Sequence, residues 1–154
     1  MTRGTAVFSY GLGGPIFSGG LRAIANEVAL LGWRARVYRW TEPRKAVKAV
    51  EAEANKTDPV ALIFHSAGAS FANSFAQQYR KPIDLGISVD AWFPMEMASN
   101  FKRVISVRAS RFGRFDVYGA NVKGNVVIDG THTTIDDSQA LRRLVNDELA
   151  RLVK

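Results

Sequence analysis

VALIFHSAG, residues 60–68, is an apolar run that ends in a histidine, a serine, an alanine and a glycine. The part from 60 to 64 does not alternate between apolar and polar residues, which is typical of a central parallel strand buried on both faces. After Ser66 the pattern becomes helical, and aromatic residues recur at every fourth position: Phe71, Phe75 and Tyr79. The stretch therefore predicts a buried strand, a turn at Ser66 and a helix whose aromatic stripe packs on the sheet.

The same alternation of strand and helix continues towards both ends of the chain. On the amino-terminal side it predicts a strand at 5–9, a glycine-rich turn at 11–14, a helix from about Gly19 to Leu31, a strand at 34–40 and a helix after Thr41 and Pro43. On the carboxyl-terminal side it predicts strands at 85–89, 104–107 and 126–128, then a helix from about Asp136 with Gln139 as its capping-box partner. This order predicts an α/β fold, a three-layer sandwich with a mostly parallel sheet of about six strands.

Composition narrows the class of protein. A chain of 154 residues with 47% hydrophobic residues is expected to fold as one domain over residues 1–154. No window approaches the roughly 20 apolar residues of a membrane span, and glycines interrupt the amino-terminal segment, so a soluble, cytoplasmic protein is expected. The absence of cysteine excludes a disulfide, a thiolate zinc site and a cysteine nucleophile. The two histidines do not stand at metal-ligand spacing, and neither a metal nor a cofactor is expected.

Positive charge is concentrated in one part of the chain, which has a formal net charge of +7. The segment 101–123 contains six basic residues and one acidic residue, Asp116. The basic residues are Lys102, Arg103, Arg108, Arg111, Arg114 and Lys123. Such a stretch is either a solvated basic face or a surface that attracts an anionic substrate, a nucleic acid or an acidic membrane.

Chemistry-bearing residues follow several of the predicted strands. In an open parallel sheet, catalytic groups gather outside the carboxyl ends of the strands, and Ser66, Asp90 and His132 are all expected there. A serine hydroxyl needs a base to remove its proton, and His132 is the candidate because His65, adjacent to the serine, should point away from the hydroxyl.

A carboxylate must orient the imidazole of that base. Asp90, at a predicted strand end, is the first choice for this acid. Asp116 and Asp129 are the reserves.

Acyl transfer also requires two N–H donors for the oxyanion of the tetrahedral intermediate. The Ala67 N–H, directly after the serine, is one candidate. A second donor is expected from the segment 11–13, with Leu12 as the first choice, because the flanking glycines let the backbone approach a substrate.

These motifs together resemble the α/β-hydrolase superfamily, and in particular its small lidless lipase- or thioesterase-like members from bacteria and phages. The matching segments are 11–14 (GLGG), 17–20 (FSGG), 65–68 (HSAG), Asp90 and 132–137 (HTTIDD). The resemblance implies a serine hydrolase that cleaves a small-molecule carboxylic ester or thioester through an acyl-enzyme. In such a protein Ser66 would be the nucleophile, His132 the base and Asp90 the acid. The family turn is Gly-x-Ser-x-Gly, whereas Phe64 stands here at the first glycine and is expected to crowd the turn.

Each of these residues also has a purely structural interpretation. Ser66 could be an N-cap, His132 part of a polar turn, and Asp90 a strand-end residue that binds backbone amides. The glycines at 11–14 could form a phosphate loop, although the Gly-x-Gly-x-x-Gly pattern is incomplete. The segment 92–95 (WFPM) is expected at the rim of an open site without a lid.

Two other function classes remain open at this point. One is a catalytically silent binding module with the hydrolase fold, which Phe64 favours. The other is a binder of nucleic acid or an anionic surface that uses the basic stretch 102–123, with aromatic side chains stacking on bases: Phe101, Phe112, Phe115 and Tyr118. Nucleic acid ranks lower as a partner, because the stretch carries no recognised motif.

Overall fold

The computed structural model describes residues 2–11, 19–53 and 57–154. Within these ranges six strands form one sheet: β1 (Thr5–Tyr10), β2 (Arg34–Arg39), β3 (Val60–His65), β4 (Leu85–Val89), β5 (Val104–Ala109) and β6 (Val122–Ile128). Their order is β2-β1-β3-β4-β5-β6, and every neighbouring pair is parallel. The predicted parallel α/β sheet is confirmed.

Four α-helices are found in the described residues: α1 (Gly19–Leu30), α2 (Pro43–Glu53), α3 (Gly68–Tyr79) and α4 (Gln139–Leu152). A short 3-10 helix, Ile135–Asp137, precedes α4. Helices α1 and α4 cover one face of the sheet, and α2 and α3 cover the other. The structure is therefore a three-layer sandwich, as the alternating pattern predicted. No helix in the ranges described is both long and apolar enough to cross a membrane.

The central strands are buried on both faces because helices cover each side. Every residue of β3 is buried, which explains the unbroken apolar run of its sequence. Alternate residues of β3 enter different cores: Ala61 and Ile63 join the core under α1 and α4, and Leu62 and Phe64 join the core under α2 and α3. The chain places β2 on one side of β1 and β3 on the other, so the sheet has a topological switch point between β1 and β3. Open α/β sheets bind ligands in the crevice outside the carboxyl ends of the strands at such a point.

Two boundaries differ from the sequence-based prediction by three residues or more, and the others that were predicted agree within two residues. Strand β6 begins at Val122, earlier than the predicted 126. It is an edge strand, and the exposed polar residues Lys123 and Asn125 in its first half interrupt the apolar pattern on which the prediction relied. Helix α4 begins at Gln139, and the predicted capping box between Asp136 and Gln139 is wrong. Ser138 is the N-cap, and its hydroxyl oxygen accepts a hydrogen bond from the Ala140 N–H at 3.1 Å.

Candidate active site

Ser66 occupies a strained turn between β3 and α3. Its φ is +60°, in the left-handed region that costs a non-glycine residue free energy and that is concentrated at functional sites. The Ser66 N–H is fixed by the Val89 carbonyl at 3.0 Å. Ala67 takes the N-cap position of α3 and no side chain caps that helix, so the interpretation of Ser66 as a helix cap is wrong.

Phe64 does not crowd this turn, contrary to the expectation from the sequence. The alternation of β3 directs its ring into the core under α2 and α3, where it lies 6.5 Å from the Phe101 ring, and only 1% of the residue is exposed. In the sheet Phe64 is flanked in register by two small residues, Ser9 on β1 and Ser88 on β4. These small neighbours leave room for the ring.

Gly68 provides the close approach that the turn requires. A Cβ at this position would lie 2.9 Å from the Ser9 carbonyl oxygen and 3.1 Å from the Phe64 Cβ. Residue 64 can therefore have a Cβ because residue 68, a glycine, has none. One glycine is sufficient for this turn to form.

Three side chains of the site form a continuous chain of hydrogen bonds. The Ser66 hydroxyl lies 3.0 Å from His132 Nε2, and His132 Nδ1 lies 2.5 Å from Asp90 Oδ2. Because a carboxylate only accepts, the Nδ1–H donates to Asp90, and the unprotonated Nε2 accepts from the serine hydroxyl. The imidazole is 15% exposed and the Asp90 side chain is fully buried. The three residues come from the ends of β3 and β4 and from the loop before the 3-10 helix.

Asp90 is held on both of its carboxylate oxygens. Oδ1 accepts from the Ala109 N–H at 3.1 Å and from the Arg114 N–H at 2.8 Å, while Oδ2 faces His132. Burial raises the pKa of this carboxyl, but the hydrogen bonds from His132 and the two amides outweigh it and hold the pKa below its ordinary value. Asp90 is therefore an anion in this position, and it both binds backbone amides at a strand end and contacts the imidazole.

The two reserve carboxylates are engaged elsewhere. Asp116 accepts from the Ser106 hydroxyl at 2.7 Å. Asp129 accepts from the Ser110 hydroxyl at 3.0 Å and lies 3.6 Å from Arg111. Of the three aspartates, the structure places Asp90 at His132.

His65 contacts His132 from the other side of the site, which the sequence did not reveal. Its Nε2 lies 2.9 Å from the His132 carbonyl oxygen, and the two imidazole rings are 4.9 Å apart. A carbonyl only accepts, so His65 donates through Nε2–H. Burial, followed by the nearby His132, lowers the pKa of His65 to about 4, so this histidine is neutral at neutral pH. The ring forms its hydrogen bond with the His132 carbonyl and so supports the loop that carries His132, whereas the Ser66 hydroxyl is bonded to His132 Nε2.

The Ala67 N–H lies against Gly11. A Cβ on Gly11 would be 2.6 Å from the Ala67 nitrogen and 3.0 Å from the Ser66 Cβ. Among the residues described, none accepts a hydrogen bond from the Ala67 N–H, so the donor is available beside the serine. Leu12, the predicted second donor, lies outside the described residues.

Trp92 and Arg114 form the rim next to His132. The Trp92 ring meets the His132 ring edge-on at 5.8 Å, and the Arg114 guanidinium carbon lies 4.6 Å from the centre of the Trp92 ring. The backbone N–H of Trp92 donates to the Ser66 backbone carbonyl at 3.3 Å. Trp92, the first residue of the segment 92–95, therefore lies at the rim where the sequence predicted it.

The basic stretch 102–123 is largely occupied by intramolecular contacts. Lys102 pairs with Asp84 at 2.6 Å, and Arg103 pairs with Glu148. Phe101 is 1% exposed, so the expectation that it stacks on bases is wrong: its ring fills the core beside Phe64. The other three aromatic residues are exposed, namely Phe112, Phe115 and Tyr118.

Asp136 is a second buried carboxyl close to the site. Oδ2 accepts a hydrogen bond from the Leu21 N–H, in the first turn of α1, at 3.3 Å. A Cβ on Gly20 would lie 2.4 Å from the Asp136 carbonyl, so the loop after His132 packs directly on α1. Burial, together with the charge of Asp137, raises the pKa of Asp136 to about 6.

Comparison with known proteins bears on the fold. No family model matches the chain, and no curated protein matches its sequence. Among solved structures, the chain is similar to YbtT, the type II thioesterase from the Yersiniabactin NRPS/PKS biosynthetic pathway. The match covers 99% of this chain and 95% of that chain, with 12% sequence identity and a TM-score of 0.62. The likeness shows that the chain has an α/β-hydrolase fold.

Proposed function

We propose that this protein is a serine hydrolase that cleaves a carboxylic ester or thioester through an acyl-enzyme. One observation carries the proposal: the Ser66 hydroxyl, the His132 imidazole and the buried Asp90 carboxylate form an unbroken chain of hydrogen bonds. A nucleophile bonded to a base, which is in turn bonded to an orienting acid, is the arrangement that serine hydrolases share on unrelated folds. The left-handed backbone of Ser66 supports the proposal, because such strain is concentrated at functional sites.

In the first half of the reaction, Ser66 Oγ attacks the substrate carbonyl carbon. The hydroxyl proton passes to His132 Nε2, and the carbonyl π electrons move to the oxygen to give a tetrahedral oxyanion. The imidazolium is stabilised by the Asp90 carboxylate at its Nδ1–H. As the bond to the leaving group breaks, His132 returns the proton to the leaving alkoxide or thiolate, and the acyl group remains on Ser66.

In the second half, water replaces the leaving group. His132 removes a proton from the water as it attacks the acyl-enzyme carbonyl, and then returns that proton to Ser66 Oγ as the carboxylic acid departs. In both halves the available Ala67 N–H is proposed to bind the oxyanion, and Leu12 remains the proposed second donor.

A thioester is the favoured substrate class within this proposal. A solved structure with the same fold is described as a type II thioesterase, and the match extends over nearly all of both chains. The chemistry is consistent, since a thiolate is a better leaving group than an alkoxide and asks less of the acid step.

The experiment that tests the proposal is covalent labelling of Ser66 by a fluorophosphonate, read by intact mass. Wild type is expected to gain one adduct, and Ser66→Ala and His132→Ala are expected to gain none. Ser70→Ala, one turn further along α3, is the matched control and should label like wild type. Labelled protein is then digested to assign the adduct.

Hydrolysis of S-pentanoyl-N-acetylcysteamine and of ethyl pentanoate by wild type follows, to compare thioester with ester. A folded wild type that neither labels nor hydrolyses either compound would leave the catalytically silent binding module as the better interpretation. The nucleic-acid binder is less favoured, because Lys102 and Arg103 already pair with carboxylates and Phe101 is buried.

A further inference from the structure

Arg114 is fixed beside the reacting groups by several contacts. Its backbone N–H donates to Asp90 Oδ1 at 2.8 Å, and the N–H of the next residue, Phe115, donates to the Ala91 carbonyl at 3.0 Å. Its guanidinium lies 4.6 Å from the centre of the Trp92 ring, and the His132 ring lies 5.8 Å from the same ring. One indole ring therefore contacts both the guanidinium and the imidazole.

The charge of Arg114 is not neutralised within the described part of the chain. There, no carboxylate lies within ion-pair distance of its guanidinium, and no side chain or carbonyl accepts a hydrogen bond from it. Three other basic residues of the same stretch have carboxylate partners: Lys102 with Asp84, Arg103 with Glu148 and Arg111 with Asp129. Arg108 and Lys123 have none among the described residues, and of the three unpaired cations Arg114 is the one that lies on the Trp92 ring, beside the active site.

Trp92 holds this cation in a defined place. A guanidinium stacked on an indole face is attracted by the ring and keeps its N–H groups at the edge free. Those N–H groups form a planar fork that matches a carboxylate or a phosphate with two parallel hydrogen bonds. Both Trp92 and Arg114 are exposed, so a substrate can reach them.

We propose that Arg114 and Trp92 form an anion-binding subsite through which the enzyme selects substrates that carry a phosphate or carboxylate. The inference rests on the hydrolase function proposed above and names the substrate class of that same site. The anion belongs either to the leaving group or to the acyl group. In both cases Arg114 binds it, and Trp92 supports the guanidinium and the adjoining apolar part of the substrate.

The test compares three thioesters with the same acyl length. S-pentanoyl-N-acetylcysteamine is neutral, pentanoyl-coenzyme A carries phosphates on the leaving group, and S-glutaryl-N-acetylcysteamine carries a carboxylate on the acyl group. For wild type at low ionic strength, one anionic thioester is expected to exceed the neutral compound in kcat/KM by about tenfold or more. Which anionic compound shows the excess identifies the source of the anion.

Arg114→Gln is expected to lower the ratio of anionic to neutral kcat/KM by about tenfold, as expected for loss of a charge-assisted hydrogen bond at a partly exposed site. The matched control is Arg3→Gln, which removes the same charge before the amino end of β1, at the edge of the sheet away from Ser66. It should leave the ratio within twofold of wild type. An unchanged ratio in Arg114→Gln, or a wild type without preference for either anionic compound, would overturn the subsite.

Binding provides a readout that does not need turnover. Calorimetric titration of Ser66→Ala with coenzyme A and with glutarate should show binding of one of them, weakened about tenfold in Ser66→Ala/Arg114→Gln. If wild type hydrolyses no thioester and is not labelled by the fluorophosphonate, the proposed function fails, and this titration still decides the subsite. Absence of binding by both anions, or binding that does not depend on Arg114, would refute it.

Discussion

Gly11→Ala should impair the proposed acyl transfer without unfolding the protein. The added Cβ would lie 2.6 Å from the Ala67 nitrogen and 3.0 Å from the Ser66 Cβ, whereas ordinary contacts begin at 3.4 Å. Since the nearest atom is backbone, Ala67 or the end of β1 must move by about 0.8 Å, and a misplacement of about 1 Å at a catalytic group costs on the order of 100-fold in rate. The new methyl group also crowds the Ala67 nitrogen, whose N–H is the proposed oxyanion donor.

We therefore expect kcat/KM for S-pentanoyl-N-acetylcysteamine to fall about 30- to 100-fold, which corresponds to about 2–3 kcal/mol of lost transition-state stabilisation. The φ of Gly11 lies outside the left-handed region, so alanine is compatible with the backbone conformation, and the tight contact with Ala67 should lower the free energy of unfolding by about 1–3 kcal/mol while urea unfolding stays cooperative. Gly19→Ala is the control, because a Cβ there has no atom within 4 Å. If Gly11→Ala retains kcat/KM within twofold of wild type, the placement of the oxyanion at Ala67 is refuted.

Variants at three further residues test other contacts of the site. Asp90→Asn should lower kcat by about three to four orders of magnitude because the amide no longer fixes the tautomer of His132; kcat within tenfold of wild type would contradict its role. His65→Leu, which removes the donor to the His132 carbonyl, should lower kcat about tenfold with little change in KM, and His65→Gln, which keeps an N–H donor, should recover most of it; equal losses in both variants would indicate a packing role alone. Asp136 has its folded-state pKa raised to about 6, so wild-type folding loses stability as pH rises from about 4 to 6. Asp136→Asn should therefore be more stable than wild type by about 2 kcal/mol at pH 7.5 and by much less at pH 4.5, measured by urea unfolding, and a pH-independent difference would oppose this assignment.

Most of the fold could be predicted because its signals are local. The apolar run of β3, the aromatic spacing of α3 and the glycines after strands and helices each act within a few residues. Prediction was weakest where a long-range partner decides the structure. The edge strand β6 alternates polar and apolar residues in its first half. Helix α4 is capped by Ser138, while Asp136 accepts a hydrogen bond from the Leu21 N–H of α1.

The residues of the candidate site could be predicted from the sequence, but the hydrogen bonds among them and with their neighbours could not. The rule that functional groups gather at the carboxyl ends of parallel strands brought Ser66, Asp90 and His132 to one edge. Asp90 contacts His132, whereas Asp116 and Asp129 accept hydrogen bonds from the serine hydroxyls of Ser106 and Ser110. No local sequence pattern encodes these partners. The contact between His65 and the His132 carbonyl joins residues 67 positions apart, and sequence alone carries no distance between them. The sequence does show a second histidine, His65, next to the serine, but nothing in it indicates which group that histidine bonds.

The turn at Ser66 also has a consequence for how such proteins evolve and are recognised. The steric demand of the turn falls on position 68, where a Cβ would meet the Ser9 carbonyl oxygen as well as the Phe64 Cβ, whereas Phe64 shows that position 64 accepts a side chain. A lineage can then place a large aromatic residue at position 64 and enlarge its core without altering the geometry of the nucleophile. A motif written with two obligatory glycines would pass over such chains, whereas one that requires only the glycine at position 68, together with small residues on the flanking strands, would retain them.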